Sequence, residues 1–336
     1  MTRKAVVISN PTVFALHGST LLHDILPKGW IAIPLMIGDG ERFKNSRTVA
    51  ALYEHLLDLS VNRGDVIIAF GGGVVGDTAG YTAATFKRGI DFIQVPTTLL
   101  AMVDAAIGAK VGIDHRSGKN LIGTFHQPRA IVINPAWLGT LPQREIAAGT
   151  AELIKIGFLV SKTFLEAVLS MPLQYDNRDR RKWKALMEAA ILFKSEIVAH
   201  DPFDHRLRKV LNFGHTFAHA VETAEGYRRY HHGEAVLAGM AAALYLSHAI
   251  GHLKKKRLVE YLQFLSGPIA GLRPLSQPIT AYLAPIQLDK KNTGDRPTFV
   301  LLESIGRPVL CSAPSERDIG KAITCMKDFV NTGGKI

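Results

Sequence analysis

The sequence predicts an α/β amino-terminal domain with a mostly parallel sheet, followed by a mainly α-helical carboxy-terminal domain. Three observations carry this. Up to about residue 134, short apolar runs alternate with segments of helical period, which is how strands joined by crossover helices read. One of those runs empties into a glycine-rich turn, GGG at 71–73, which gives the first domain a Rossmann-like character. From residue 143 onward the pattern is almost wholly helical. A chain of 336 residues is long for one core and suits two domains, here residues 1–140 and 141–336.

The elements follow in order. Residues 5–9 (AVVIS) and 31–37 (IAIPLMI) read as strands, and 46–59 has the apolar spacing of an amphipathic helix. Residues 38–44 (GDGERFK) read as a turn leading to a helix start. Residues 65–70 (DVIIAF) form a buried-strand pattern, a short helix begins near Asp77, and residues 91–95 (DFIQV) form a further strand that runs into Pro96, Thr97 and Thr98. Residues 137–144 look like a hinge between the domains. Helices are expected at 143–158, 161–170, 180–200, 208–226 and 233–252. Gly267-Pro268, Pro274 and Pro278 then break the chain before a late strand at 299–302 and a closing helix at 315–331.

Composition excludes several classes. Hydrophobic content of 47% with 21% charged residues is that of a globular enzyme, and no uninterrupted apolar run approaches the length that spans a bilayer. The opening MTRKAVVISN passes directly into a strand pattern, so no signal peptide is expected. Two cysteines, Cys311 and Cys325, suit a reducing cytoplasm better than a disulfide framework. The net charge of +11 raises nucleic-acid binding as an alternative. Against it, the clusters at 178–184 and 254–257 look like solvated helix faces and carry no interleaved aromatic platform. A basic surface also gathers an anionic substrate.

Gly71, Gly73 and Gly76 have the spacing of a dinucleotide fingerprint. A backbone without side chains can approach a pyrophosphate, and the amides of the following helix point at the anion. The standard arrangement fits badly, because Asp91 begins its strand instead of ending it. In the helical half, Glu152 and Lys155 share a face, and His215 and His219 stand four apart. His232 follows His215 by seventeen residues. A glutamate with histidines from separate helices is a suitable zinc set with an open position, although spacing alone would nominate His215 with His219.

The motifs GGGVVGDTAG, FKRGIDFIQVPTTLLAMVD, GKNLIGTFHQP, LPQREIAAGTAELIK, LNFGHTFAHAVE and HHGEAV are colinear and together resemble the 3-dehydroquinate synthase family of the sugar-phosphate cyclases. The likeness runs from about Ser9 to about Gly306. It implies a dehydroquinate synthase-like fold, catalytic use of NAD, a Zn2+ ion (Co2+ as the alternative), an anionic sugar phosphate substrate and a homodimer, with no nucleic-acid or membrane partner. It implies conversion of 3-deoxy-D-arabino-heptulosonate 7-phosphate to 3-dehydroquinate by oxidation, phosphate elimination, re-reduction, ring opening and aldol closure, with cofactor and metal facing each other in an interdomain cleft.

Residue by residue, the resemblance assigns the metal to Glu152, His215 and His232 and leaves His219 to the substrate phosphate. It matches Asn10, Glu41, Lys44, Gly73, Asp77, Thr97, Thr98, Lys110, Lys119, Trp137 and Thr140 to cofactor contacts. It matches Lys110, Asn120, Lys194 and Arg208 to the carboxylate and hydroxyl side of the substrate, and Arg88, Asn212, His219 and one of Lys290 or Lys291 to its phosphate, Lys291 being the choice here. Asp104 matches a group touching cofactor and hydroxyls, and Lys155 completes the candidate catalytic set. Arg88 is expected to reach in from a neighbouring subunit.

The chain departs from the family pattern at Ala109 and Ala218, where glycine is typical, and at Asp204, where glutamate is typical. It also begins close to its first strand, where the family commonly has an amino-terminal β-hairpin. The rival readings are sister cyclases acting on glucose 6-phosphate or sedoheptulose 7-phosphate, and an iron- or zinc-dependent polyol dehydrogenase.

Overall fold

The computed structural model describes residues 3–25, 29–226, 229–293, 298–312 and 314–336, with the side chains of 24, 25 and 288–293 outside that description. The described chain divides into two compact units, residues 1–146 with 174–198, and residues 147–173 with 199–336. The sequence reading draws a single cut after residue 140. The structure moves the cut by a few residues and returns most of one later helix to the first unit.

In the first unit, β1 (Lys4–Ser9), α1 (Pro11–Thr20), β2 (Ile31–Met36), α2 (Ser46–Asp58), β3 (Val66–Gly71), α3 (Gly73–Thr85) and β4 (Asp91–Pro96) follow one another. The sheet is parallel, in the order β2-β1-β3-β4 with the two-residue β7 (Ala130–Ile131) at its edge. Strand order reverses between β1 and β3, which puts the ligand crevice of such a sheet at their carboxyl ends, Ser9-Asn10 and Gly71-Gly72. β3 is buried along its whole length, as a central strand covered on both faces must be. Val6, Ile8, Ile67, Ala69 and Phe92 of the sheet pack with Leu52 and Leu56 of α2 and Val75, Ala79 and Ala83 of α3. Each buried large aliphatic there contributes about 1.5–3 kcal/mol.

The expected short helix near Asp77 starts instead at Gly73, inside the glycine run itself. Periodicity also missed β5 (Lys110–His115) and β6 (Gly118–Phe125), an antiparallel hairpin with an irregular register near its turn, in a stretch read as continued alternation. Ala109, just before it, has φ 61°, a left-handed backbone in which glycine rests easily and alanine carries a steric cost of roughly 1–2 kcal/mol. That is the physical content of the departure at this position.

In the second unit, α4 (Gln143–Val160) and α5 (Lys162–Leu169) precede α6 (Arg180–His200), whose residues up to Val198 belong to the first unit. α7 (His215–Glu225), α8 (His232–Ala249), α9 (Lys255–Ile269), α10 (Ile279–Thr293), the hairpin β8 (Phe299–Ser304) and β9 (Arg307–Cys311), and α11 (Glu316–Asn331) complete it. The expected helix over 208–226 is shorter, because residues 207–212 form a 3-10 turn and Gly214, at φ 82°, resets the backbone before His215. Gly267-Pro268 does not break the chain where expected, since α9 runs on to Ile269 and its proline lies in the last turn.

α8 is the core of this unit. It is apolar all round and buried from Gly233 to Ser247 almost without interruption. Its side chains are small, so neighbours come close. A Cβ on Gly233 would lie 2.4 Å from Ala148 of α4, and one on Gly239 would lie 2.2 Å from the carbonyl oxygen of Gly214. Ala218, the second departure, is fully buried in the same seam, where a Cβ on Gly239 would approach its amide nitrogen to 2.8 Å.

The loop between α6 and α7 is held by Asp201. Its carboxylate accepts the amides of His205 (2.9 Å), Arg206 (2.7 Å) and Arg208 (3.1 Å). Those three donors hold the Asp201 carboxyl down at about 2. Asp204 sits within the loop at φ 60°, a conformation that aspartate tolerates better than most residues with a Cβ.

Two outcomes follow from this packing. Gly233→Ala forces α8 away from α4 and should lower unfolding free energy by about 1–3 kcal/mol, read as a drop in the denaturation midpoint. For Asp201 the folded value lies below the ordinary carboxylate value, so its contribution is complete above that ordinary value and disappears as pH falls through it toward about 2. The stability gap between the wild type and Asp201→Asn should therefore be constant above about pH 5 and shrink on acidification, measured by urea unfolding at a series of pH values.

Candidate active site

The carboxyl edge of the sheet gathers most of the nucleotide candidates. Asn10 caps α1, accepting the amide of Val13 at 2.9 Å. Gly71 and Gly76 have internal reasons to be glycine, since a Cβ would press on Val75 at 2.6 Å and on Gln94 at 2.8 Å. Gly73 has none, because a Cβ there meets only Ala105 at an ordinary 3.6 Å. A side chain is thus missing at the helix start where only an outside group would need the room. The hydroxyl of Thr97 is buried beside this turn without a hydrogen-bond partner, while that of Thr98 accepts the amide of Ala101 at 3.2 Å.

Lys44 organises the polar side of this edge. Its buried ammonium donates to Asp77 Oδ2 at 2.6 Å and to Asn120 Oδ1 at 2.5 Å. Burial opposes the charge on Lys44, but Asp77 and Glu41 outweigh it and raise its affinity for the proton. Burial also pushes the Asp77 carboxyl up, and Lys44 pulls against it. Lys119 reaches Glu41 at 3.8 Å, so Glu41, Lys44, Asp77, Lys119 and Asn120 form one connected group. Asp114, which had no signal in the sequence, ties the hairpin to it: its amide donates to the Lys44 carbonyl at 2.8 Å, and its carboxylate accepts the Asn120 amide at 2.9 Å.

Lys194 lies on the part of α6 that belongs to this unit, and its ammonium donates to the carbonyl (2.6 Å) and carboxylate (2.7 Å) of Asp104. Trp137 is buried edge-on against Phe70, and Thr140 is hydrogen-bonded to His17 at 2.8 Å. Lys110 opens β5 with an exposed side chain. Arg88 stands apart, exposed on the turn that precedes β4 and so at the amino edge of the sheet. Lys87, Arg88 and Gly89 all have positive φ. Hydrogen bonds fix that turn, from Lys87 Nζ to the Val61 carbonyl at 2.6 Å and from the Arg63 guanidinium to the Lys87 carbonyl at 2.9 and 3.1 Å.

The second unit brings the three expected metal ligands together. Glu152 projects from α4, His215 is the first residue of α7 and His232 the first of α8. One donor atom from each lies within 4.8 Å of the others. Glu152 Oε1 faces His232 Nε2 at 3.5 Å and His215 Nε2 at 3.7 Å, while Oε2 is ion-paired with Lys155. Burial resists ionisation of Glu152, and against it Lys155 and the two imidazoles hold its carboxyl well below the usual range. Burial and the nearby Lys155 charge bring His215 down to about 3. Burial also disfavours the charge on His232, yet the carboxylates of Glu152 and Glu222 at its two nitrogens raise it to about 10.

This donor set fits a divalent ion. Glu152 is fully buried, and neither of its oxygens has a hydrogen bond of good geometry. One carboxylate oxygen and two imidazole nitrogens from three helices are a ligand set of the kind that leaves a zinc coordination position open. His219 lies one turn along α7, its ring 5.9 Å from that of His215, and does not join the cluster. Spacing alone would have paired it with His215. Arg208 is buried and donates to the Pro202 carbonyl at 3.1 Å, whereas Asn212 and His219 are exposed. Lys290 and Lys291 lie on α10, with side chains outside the described residues. Glu222, 3.3 Å from His232 Nδ1, was missed because nothing in its spacing distinguishes it from an ordinary helix acid.

The 3-dehydroquinate synthase N-terminal family matches residues 34–148 and its C-terminal counterpart residues 149–292. The 3-dehydroquinate synthase of Geotalea uraniireducens is 40% identical over 307 residues, covering 90% of this chain and 84% of the relative. That of Gloeobacter violaceus is 42% identical over 305 residues, covering 90% and 84%. Among solved structures, a 2-deoxy-scyllo-inosose synthase complexed with carbaglucose-6-phosphate, NAD+ and Co2+ superposes with a TM-score of 0.83 at 26% identity, covering 98% of this chain and 90% of that one. The 2-epi-5-epi-valiolone synthase of Streptomyces hygroscopicus with NAD+ and Zn2+ bound gives 0.84 at 26% identity, covering 98% and 92%. A glycerol dehydrogenase of Schizosaccharomyces pombe shares the fold, at a TM-score of 0.66 and 17% identity, with 99% and 85% covered. With both halves matched and relatives near 40% identity over nine-tenths of its length, the chain belongs to the 3-dehydroquinate synthase family.

Proposed function

We propose that this chain converts 3-deoxy-D-arabino-heptulosonate 7-phosphate to 3-dehydroquinate and phosphate, as a phosphate-eliminating carbon–oxygen lyase that uses NAD catalytically and a divalent ion, zinc or cobalt, held by Glu152, His215 and His232. The observation that carries the reading is the buried Glu152 carboxylate facing two imidazole nitrogens, in a chain whose two halves match the family. When bound, the ion supplies a Lewis acid toward substrate hydroxyls and NAD a reversible hydride acceptor.

The chain's own residues do the rest. Lys155 neutralises Oε2 of Glu152, which leaves Oε1 with the imidazoles. The room at Gly73 and the hydroxyl of Thr97 suit a nucleotide pyrophosphate at the start of α3. Asn120 commits its carbonyl oxygen to Lys44, so toward a ligand it offers its NH2, a donor for carboxylate or hydroxyl oxygens. Asp104 fixes Lys194 from two sides and orients its ammonium. Lys110, Lys194 and Arg208 are assigned to the substrate carboxylate and hydroxyls, and Arg88, Asn212, His219 and Lys291 to its phosphate. A doubly anionic substrate calls for that many donors, because each charge-assisted bond is strong only while its partner is aligned.

Arg88 is assigned to the site of a second copy. It stands at the amino edge of the sheet, and a six-residue strand separates the two edges by about 20 Å. The proposal therefore includes a homodimer, acting in a reducing cytoplasm that suits its two free cysteines. Among the described residues, no helix is long and apolar enough to cross a membrane.

Purified protein given NAD+, Zn2+ and the heptulosonate phosphate should release phosphate and form dehydroquinate with no accumulation of NADH. Accumulating NADH, or turnover of glucose 6-phosphate or sedoheptulose 7-phosphate in its place, would overturn the reading. Arg88→Ala should lower kcat/KM roughly 10–100-fold, the loss of one or two charge-assisted bonds. Mixing it with inactive His215→Ala after subunit exchange should recover about a quarter of wild-type sites if the arginine acts across a two-fold interface, and none if it acts within its own chain.

A further inference from the structure

Glu222 is an acid that the assigned chemistry does not use. It lies on α7 two turns beyond His215, and its carboxylate is almost completely buried. Burying a carboxylate is costly unless something nearby repays the lost hydration. Among its contacts is Nδ1 of His232, 3.3 Å from Glu222 Oε1. The other nitrogen of that ring, Nε2, is the one that faces Glu152. His232 is thus held between two buried carboxylates, one at each nitrogen.

The two imidazoles differ in this respect. His215 turns its Nδ1 toward the backbone carbonyl of Phe213 at 3.4 Å, a neutral and distant acceptor. His232 has a charged acceptor instead. Resting on the metal reading given above, we propose that Glu222 is a positioning residue: it accepts a hydrogen bond from the Nδ1–H of His232, fixes the ring, and leaves the Nε2 lone pair to the ion shared with Glu152 and His215. An imidazole whose proton is claimed at one nitrogen is a better and better-aimed donor at the other, and loss of such an acceptor typically weakens metal binding 10–100-fold. A plain helix-stabilising role is the competing account, because a carboxylate near the first turn of α8 also favours that helix end.

The test is chelator competition for Zn2+ on the full chain, with the melting temperature of the metal-free protein and the visible spectrum of the Co2+ form read alongside. Glu222→Gln keeps the shape and removes the charge, and should weaken Zn2+ binding 10–100-fold. Any fall in its metal-free melting temperature should be too small to account for the lost affinity, and its Co2+ absorption should shift. Glu222→Asp, which keeps the charge and shortens the arm, should recover part of the affinity. Unchanged Zn2+ affinity in Glu222→Gln overturns the proposal. So does an affinity loss matched in both variants by an equal loss of metal-free stability, since that is the behaviour of a structural prop. The underlying metal reading fails separately, if the wild type takes up no stoichiometric Zn2+ or Glu152→Ala takes it up as well as the wild type does.

Discussion

A carboxylate with no exposed surface is the most demanding group in this molecule, and Glu152 is one. Left alone, burial would drive it to hold a proton. Lys155 on one oxygen and two imidazoles on the other keep it ionised. That needs three helices to bring their side chains within a few ångströms, which requires them to pack more closely than ordinary side chains allow. Gly233 and Gly239 along α8, the left-handed Gly214 before α7 and the small residues of the seam are what permit it. Electrostatics sets the requirement, and the glycines meet it.

The same economy explains which features were legible in the sequence. Strands β1, β3 and β4 were legible because burial makes a largely continuous apolar run, β2 because it keeps that apolar run although it lies half-exposed at the sheet edge, and α2 and α11 because one wet face gives a clean helical period. The β5–β6 hairpin was not, because its second strand is largely exposed and carries lysine, asparagine and two glycines, with no alternation to betray it. Its position matters, since it carries Lys119 and Asn120 to the Lys44 cluster. Gly267-Pro268 misplaced the break only slightly, since α9 takes in the proline and ends at Ile269 directly after it. Glu152, His215 and His232 were picked out by the motifs, which also set His219 apart, whereas spacing alone would have paired it with His215. Glu222 and Asp114 had no signal at all, for acids are common on helices and hairpins and only a partner 3 Å away gives them meaning.

The glycerol dehydrogenase of similar fold shows how little architecture decides by itself. One fold of this kind serves more than one activity, so the reading of this chain rests on its own side chains and not on its architecture. The departures from the family pattern are local by comparison. Ala109 tolerates a backbone better suited to glycine, and Asp204 occupies a left-handed position that favours a short polar side chain.

The course of the chain through its two units has a bearing on biosynthesis. Residues 174–198 return to the first unit after the second has begun, and with them comes Lys194 to its place on Asp104. An amino-terminal fragment ending near the boundary between the two family models would lack that segment, so the halves are not interchangeable modules that could be swapped or expressed singly. During synthesis the residues of the first unit are all present only once some fifty beyond residue 146 have been added.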